Sequence, residues 1–446
     1  MHGPSRASAL ADDRARRVAY DTVRAVSADD AYANLVLPRL ISEARLDGRD
    51  AALATELGYG TVRAAGTLDD IVAACVDRPL TSVDPAVLDL LRLGAYQVLR
   101  TRIPEHAAVA TTVDLARATG NGRASGFVNA VLRKVARDDW IGWTDRLAAG
   151  GSALRRMSLR TAHPEWIADA FRDALDGDLA ETEAALAADD ERPQTHLVAW
   201  PDRIDRTELL ASVDGEAGPW SPYAVRLQRG APGDLPAVRD KRAGVQDEGS
   251  QLCAVAVTRA PLTGRDERWL DLCAGPGGKA ALLASLATER GASLTANELH
   301  PHRAELIRSL TAPWQVDVLV GNARELAPVD GGYDRVLLDA PCTGLGALRR
   351  RPEARWRRDP GDVAELVALQ RSLLDAALRL VRPGGVVAYV TCSPHPAETL
   401  DIVAGRELLD ARPAFPGVPQ LGDGPTVQLW PHRHGTDAMF CAFLRG

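Results

Sequence analysis

The sequence predicts an α/β protein. A doubly wound, mostly parallel sheet occupies residues 246–446, an all-α region occupies residues 1–140, and linker helices with a small α+β subdomain fill residues 141–245. Three observations predict this. After residue 246, short apolar runs alternate with helical stretches, the pattern of strand–helix–strand units. Before residue 140 the text is Ala-rich, with apolar positions at helical spacing. Between them lies Gly- and Pro-rich text from Gly215 to Gly244. A chain of 446 residues with 46% hydrophobic and 25% charged residues fits two or three folded domains and excludes wholesale disorder.

In order along the chain, Val18, Val23 and Val26 share one helix face, and Leu53, Leu57, Val62 and Leu68 mark further helical text. Val87, Leu90, Leu91, Tyr96 and Val98 form a strongly apolar helix, with Pro85 early in it, where a missing N–H is tolerated. Pro79, Pro104, Gly120 and Gly122 punctuate the region. Trp140 to Met157 reads as one connecting helix, and His163-Pro164-Glu165-Trp166 opens another. Thr195–Trp200 reads as a strand. In the last part, Trp269–Cys273, Ser293–Glu298, Val316–Val320, Tyr333–Asp339 and Val386–Thr391 read as strands. Helices fit at Ala280–Ala287 and Val363–Val381, the latter stopped by Pro383-Gly384-Gly385. Val427–Trp430 and Met439–Leu444 suit an antiparallel edge hairpin.

Composition excludes several classes. No apolar run approaches the roughly 20 residues that span a bilayer. Met1 to Leu10 lacks a basic stretch followed by an apolar one, so a cytosolic protein without a secretory leader is expected. Cys75, Cys253, Cys273, Cys342, Cys392 and Cys441 form no C-x-x-C pair, which speaks against a zinc knuckle or a disulfide scaffold, and no metal is expected. The net charge of −7 argues mildly against a nucleic-acid partner. It is an average, however, and Arg349, Arg350, Arg351, Arg355, Arg357 and Arg358 concentrate positive charge locally.

Three motifs carry chemistry. Asp271-Leu272-Cys273-Ala274-Gly275-Pro276-Gly277-Gly278-Lys279 follows a strand and opens a helix, so its glycines admit a ligand to backbone N–H groups. The spacing is neither G-x-G-x-x-G nor G-x-x-x-x-G-K-[ST], so nicotinamide and P-loop cofactors fit poorly. Glu298 ends the next strand, where a carboxylate accepts both ribose hydroxyls of an adenosine. The combination suits S-adenosylmethionine; a structural turn beside a surface glutamate is the competing reading. Asp339-Ala340-Pro341-Cys342-Thr343-Gly344 and Thr391-Cys392-Ser393-Pro394 lie at two further strand ends. In open α/β sheets ligands bind at the carboxyl ends of strands, so all three motifs converge on one crevice.

A lone cysteine is usually core filler, but two at strand ends facing a methyl donor point to catalysis. Carbon 5 of cytosine is a poor nucleophile. A thiolate adding to carbon 6 makes carbon 5 enamine-like and able to attack a methyl sulfonium, splitting one hard step into two. A carboxyl near ring nitrogen 3 stabilises the adduct, a role that suits Asp339. Elimination then needs a base at carbon 5 and release of the thiol, where a second cysteine assists.

These residues resemble the bacterial 16S ribosomal RNA methyltransferase B family, the Sun/RsmB type of RNA cytosine-C5 methyltransferase. The resemblance extends over nearly the whole chain. In the catalytic half it is carried by Val245-Gln246-Asp247 with Ser250-Gln251, Leu270–Lys279, Asp339–Cys342, Arg349–Pro352 with Trp356, and Thr391–Ser393 with Glu398. In the amino-terminal half, Thr101-Arg102-Ile103-Pro104, His106-Ala107-Ala108 and Asn129-Ala130-Val131-Leu132-Arg133 resemble the family's NusB-like helical domain. His163-Pro164-x-Trp166 and Arg192-Pro193 resemble its linker. The resemblance implies a Rossmann-like S-adenosylmethionine-dependent domain acting on RNA. It implies Cys392 as nucleophile and Cys342 as the residue assisting product release. It also implies that Cys273, Ala274, Gly275, Pro276, Gly277, Gly278, Lys279, Glu298, Asn322 and Asp339 hold the cofactor, with Lys279 also approaching the active site. DNA cytosine methyltransferases use the Pro-Cys cysteine instead, so two cysteines point to RNA.

The chain departs from the family pattern at Asn322, where an acidic residue is usual. An amide still accepts from an adenine amino group, so retuned cofactor binding is expected. Thr399 stands where Asn is common after Glu398, and Trp200 replaces a common Asn. The six arginines follow the Pro-Cys motif and are expected to grip phosphates, a solvated helix face being the plainer alternative. The target cytosine must leave its stack to enter a pocket. A monomer acting on small-subunit ribosomal RNA is expected. Transfer RNA is the alternative substrate, and a non-catalytic NusB-like RNA-binding factor is the alternative class.

Overall fold

A computed structural model describes residues 13–446; the stretch read above for a leader lies outside the described residues. The chain divides into two compact units: the described residues up to Glu191 together with Leu348–Arg358, and Arg192–Ala347 together with Asp359–Gly446. The helices read as linker therefore belong with the first unit, and the small sheet belongs with the second.

The first unit is helical. Asp13 caps helix Arg14–Ala28 by accepting from Arg16 N, and that helix buries Val18, Val23 and Val26. Pro85 stands at the first position of helix Pro85–Arg100, capped by Asp84. Its buried Leu90, Leu91 and Leu93 join Leu57, Leu68, Ile71, Val131 and Leu132 in one core. The expected single helix from Trp140 is two, Trp140–Leu147 and Ala153–Arg160, because Gly150 takes φ +77° between them and Ser152 starts a new cap.

The segment Leu348–Arg358 completes this unit. Arg355 is fully buried. Its guanidinium donates to Asp189 O at 2.6 Å and Ala162 O at 3.1 Å, and lies 3.6 Å from Asp189 Oδ2. Asp189 also meets His163 Nε2 at 3.2 Å. Trp356 Nε1 donates to Arg63 O, and Arg357 donates to the carbonyls of Val26 and Ala31.

In the second unit, β1 (Thr195–Ala199), β2 (Gly215–Ala217), β3 (Ala224–Leu227) and β4 (Ala243–Val245) form an antiparallel sheet in the order β2-β3-β1-β4. The larger sheet contains β5 (Arg268–Asp271), β6 (Ser293–Glu298), β7 (Val316–Val320), β8 (Tyr333–Asp339), β9 (Val381–Thr391), β10 (Leu408–Leu409), β11 (Val427–Gln428) and β12 (Phe440–Arg445). Their order is β10-β12-β9-β8-β5-β6-β7, with β11 also on β12. The ladders from β7 through β9 are parallel, and those of β12 are antiparallel.

Both faces of this sheet are covered, as parallel strands require. Leu337, Ala388 and Val390 point to the side of helices Glu248–Arg259 and Gly278–Arg290. Val336, Leu338, Val387 and Tyr389 point to the side of Pro360–Leu380. Two expectations need correction. The carboxy-terminal pair β11–β12 is antiparallel, but β12 lies between β9 and β10 and is not an edge. Pro383-Gly384-Gly385 does not precede β9 but falls within it: the register steps from Tyr333↔Val381 to Arg335↔Val386, so residues 382–385 bulge outward. Among the described residues no helix is long and apolar enough to cross a membrane.

Candidate active site

Strand order reverses between β5 and β8, which makes the space beyond their carboxyl ends the crevice of a doubly wound sheet. Leu272 N donates to Leu337 O, and Ala274 N donates to Asn297 O, so the turn after β5 is tied to strands on both sides. Gly277 ends the turn at φ +115°, a conformation that favours glycine, and helix Gly278–Arg290 starts there. A Cβ on Gly275 would lie 2.0 Å from Glu298 Oε2. A side chain there would force the Glu298 carboxylate, and the Arg303 guanidinium beside it, to move.

Glu298, at the end of β6, is 5% exposed. Its Oε1 accepts from His300 N at 2.9 Å, and its Oε2 lies 3.6 Å from Arg303, which donates to Gly275 O at 2.6 Å. Asn322 follows β7 and caps the short turn Ala323–Glu325. Its Oδ1 accepts from Arg324 N at 3.2 Å, and its Nδ2 donates to Glu325 at 2.6 Å. The Asn322 amide is thus engaged locally.

Asp271 is fully buried, and neither carboxyl oxygen makes a hydrogen bond of normal geometry. Burial, reinforced by the charge of Asp339, pushes its pKa up to about 8. Burial and the same acidic neighbours push the Cys273 thiol up as well. Lys279 Nζ donates to Asp339 Oδ2 at 2.7 Å. Burial alone would lower the Lys279 pKa; the Asp339 charge and hydrogen bond outweigh it and hold the ammonium charged, and a negative charge on Cys392 acts in the same direction.

Cys342 follows β8 and Cys392 follows β9, and their sulfurs are 3.5 Å apart. The hydrogen bond to Cys392, burial, and the charges of Cys392, Glu398 and Asp339 all push the Cys342 thiol well above its ordinary range. Cys342 therefore keeps its proton while its neighbour sits beside an ammonium.

The three motifs thus meet at adjacent strand ends. The arginine cluster does not behave as expected. Arg355 and Arg349 are buried, and Arg355 is consumed by Asp189, so neither faces solvent to grip phosphate; Arg351 is exposed, and Arg350, Arg357 and Arg358 are partly buried. Asp271, Arg303, Gln370 and the hydrogen-bonding role of Glu398 were not singled out from sequence. Asp271, as the last residue of an apolar strand before a Gly-rich turn, carried the one signal that marks it.

The residues fit S-adenosylmethionine. The cradle at Gly275 excludes a Cβ, and the buried acceptors of Asp271 lack partners beside it, as a ligand carrying an ammonium and ribose hydroxyls requires.

Comparison with known proteins gives a consistent result. The family described as 16S rRNA methyltransferase RsmB/F matches residues 261–445, and the NusB family matches residues 13–137. A protein of Mycobacterium tuberculosis, named provisionally as a methyltransferase, is 56% identical over 442 residues, 97% of this chain and 96% of its own. Ribosomal RNA small subunit methyltransferase B of Erwinia tasmaniensis is 32% identical over 443 residues, 96% of this chain and 98% of its own. The crystal structure of PH0851 superposes with a TM-score of 0.80 at 20% identity and covers the whole of both chains.

Proposed function

Because the chain belongs to the 16S rRNA methyltransferase RsmB/F family and is an S-adenosylmethionine-dependent methyltransferase, we propose that it methylates carbon 5 of a cytosine in small-subunit ribosomal RNA through a covalent bond to Cys392. The observation that carries this reading is the pair of sulfurs 3.5 Å apart at the ends of β8 and β9, beside the Lys279–Asp339 pair. A single cysteine serves a core or one catalytic step; two at this spacing suit addition and release.

In this reading the Cys392 thiolate adds to carbon 6 of the flipped-out cytosine. The Asp339 carboxyl faces ring nitrogen 3 and stabilises the adduct, and Lys279 keeps the crevice positive enough for the thiolate. S-adenosylmethionine, when bound, supplies an electrophilic methyl group on sulfur. Residues Cys273–Lys279, Glu298 and Asn322 hold it, Glu298 taking the ribose hydroxyls. After methylation the carbon 5 proton passes to a solvent water acting as base, its electron pair restores the carbon 5–carbon 6 double bond and expels Cys392 as a thiolate, and Cys342, a neutral thiol 3.5 Å away, assists that release by donating a hydrogen bond to the departing sulfur. Among the arginines of 349–358, Arg351 is the one whose exposure suits a phosphate contact.

The test is methyl transfer from labelled S-adenosylmethionine to unmethylated small-subunit RNA. Wild type should label cytosine, Cys392→Ala should be inactive, and Cys342→Ala should accumulate a covalent protein–RNA adduct. Binding of RNA without transfer by wild type would instead support a non-catalytic RNA-binding factor.

A further inference from the structure

Six residues beyond Cys392, Glu398 is completely buried yet forms part of no step above. Its Oε1 accepts from Thr343 N at 2.8 Å and from Gln370 Nε2 at 3.0 Å. Its Oε2 accepts from Ser393 Oγ at 2.6 Å and from Thr343 Oγ1. Thr343 is the residue after Cys342, and Ser393 is the residue after Cys392. One carboxylate therefore grips both cysteine loops at the position next to each sulfur.

The surroundings make that grip rigid. Gln370 Nε2 also donates to Pro341 O at 2.9 Å, on the other side of Cys342. Tyr389 OH donates to Glu398 O at 2.8 Å, which fixes the backbone of Glu398 to β9. Four donors converge on two oxygens, so the group accepts only. The two N–H donors both meet Oε1, while the partners of Oε2 are hydroxyls that accept as well as donate, so an amide with its Nε2 on that side keeps the geometry; an aspartate, one methylene shorter, cannot reach both loops.

We propose that Glu398 is a positioning residue that sets the separation of the Cys342 and Cys392 sulfurs and so makes the two-cysteine reaction possible. This inference rests on the two-cysteine reading above. Sulfur–sulfur separation matters because addition by one sulfur and release aided by the other act on the same cytosine ring. A displacement of about 1 Å at such a site costs on the order of 100-fold in rate.

The experiment uses the full chain with Glu398→Gln and Glu398→Asp. Two quantities are read: kcat for methyl transfer alongside S-adenosylmethionine affinity, and the rate at which diamide, taking two electrons and both thiol protons, joins Cys342 to Cys392 as a disulfide. The expected result for Glu398→Asp is a fall of about 100-fold in kcat, an S-adenosylmethionine affinity within about twofold of wild type, and cross-linking slowed by about tenfold or more, with Glu398→Gln, which keeps the side-chain length, retaining more of both rates. The proposal is overturned if folded Glu398→Asp keeps either kcat or the cross-linking rate, or if affinity and kcat fall together, as a general loss of structure would cause. Should Glu398→Asp fail to fold, Ser393→Ala and Thr343→Val each remove one donor, and the same split between kcat and affinity is required of them. Rapid cross-linking of wild type together with no RNA adduct in Cys342→Ala would sink the covalent reading while leaving Glu398 as the determinant of sulfur spacing.

Discussion

Replacing Arg355 by methionine should destabilise the helical unit by about 3–5 kcal/mol, the usual cost of removing one partner from a buried ion pair. The structure supports this range. Arg355 is 0% exposed, and its loss strips donors from the carbonyls of Asp189 and Ala162 and leaves the Asp189 carboxylate, also 0% exposed, without its guanidinium 3.6 Å away. Methionine has a similar length, so a cavity adds little. Two features pull toward the lower end. Asp190 keeps Arg100 at 2.6 Å, and Arg355 Nε already lacks a partner, so part of the desolvation cost is uncompensated in the native state. Against a typical domain stability of about 5–15 kcal/mol, the loss would be large. Hydrogen exchange followed by mass spectrometry should show it as a matching drop in the opening free energy of residues 157–163 and 185–191. Adding Asp189→Asn to Arg355→Met should recover about 1 kcal/mol or more, because the stranded charge is gone. A change below about 0.5 kcal/mol in the single variant, the scale of an ordinary surface substitution, or no recovery in the double, would refute the reasoning.

The same network makes the helical unit acid-sensitive. Burial, with the Arg355 charge, lowers the His163 pKa. Burial would raise the Asp189 pKa, but the His163 hydrogen bond and Arg355 outweigh it and lower it. Below about pH 6.5 the unfolded chain takes up a proton that folded His163 refuses, so stability falls on acidification. The Asp189 contribution, present above its ordinary range, fades only at lower pH. His163→Gln should therefore flatten the fall in Tm between pH 7 and 5. Asp271 works in the opposite direction: with its pKa pushed up to about 8, the folded protein holds a proton that the unfolded chain releases near pH 4. Wild type loses stability as pH rises through that window, and the Tm of Asp271→Asn relative to wild type should climb from pH 5 to pH 9. Gly275→Ala places a Cβ 2.0 Å from Glu298 Oε2 and 2.9 Å from the Arg303 guanidinium. Calorimetric titration should show S-adenosylmethionine binding weakened by about tenfold or more, a cost of about 1.4 kcal/mol, and unchanged affinity would refute the cradle.

The large sheet was legible in the sequence because each parallel strand is a short apolar run followed by a turn, and because Asp271, Asp339 and Thr391 mark where those runs stop. Local chemistry reached as far as the two cysteines and the Gly-rich turn. It did not reach Arg355. Six arginines between 349 and 358 read as a charged surface, and the residue that buries one of them, Asp189, lies at the end of an Ala-rich helix far back in the chain. Glu398 was visible as part of a motif, but its role exists only once the turns after β8 and β9 bring Thr343 and Ser393 together. Pro383-Gly384-Gly385 reads as a helix stop on propensity; the ladder with β8 continues past it by letting four residues bulge. In each case a partner distant in sequence overrode a local preference.

The chain leaves the second unit after Ala347 and returns at Asp359, having contributed eleven residues to the first. The protein is therefore interleaved and not strung like two beads. Cutting it at Glu191 would send Arg355 and Trp356 away with the wrong piece. The helical fragment would keep Asp189 facing an empty slot, and the other fragment would carry a strap with nothing to bind. Neither half is a self-sufficient part. In this chain the backbone thus passes between the two units three times, at residues 191–192, 347–348 and 358–359.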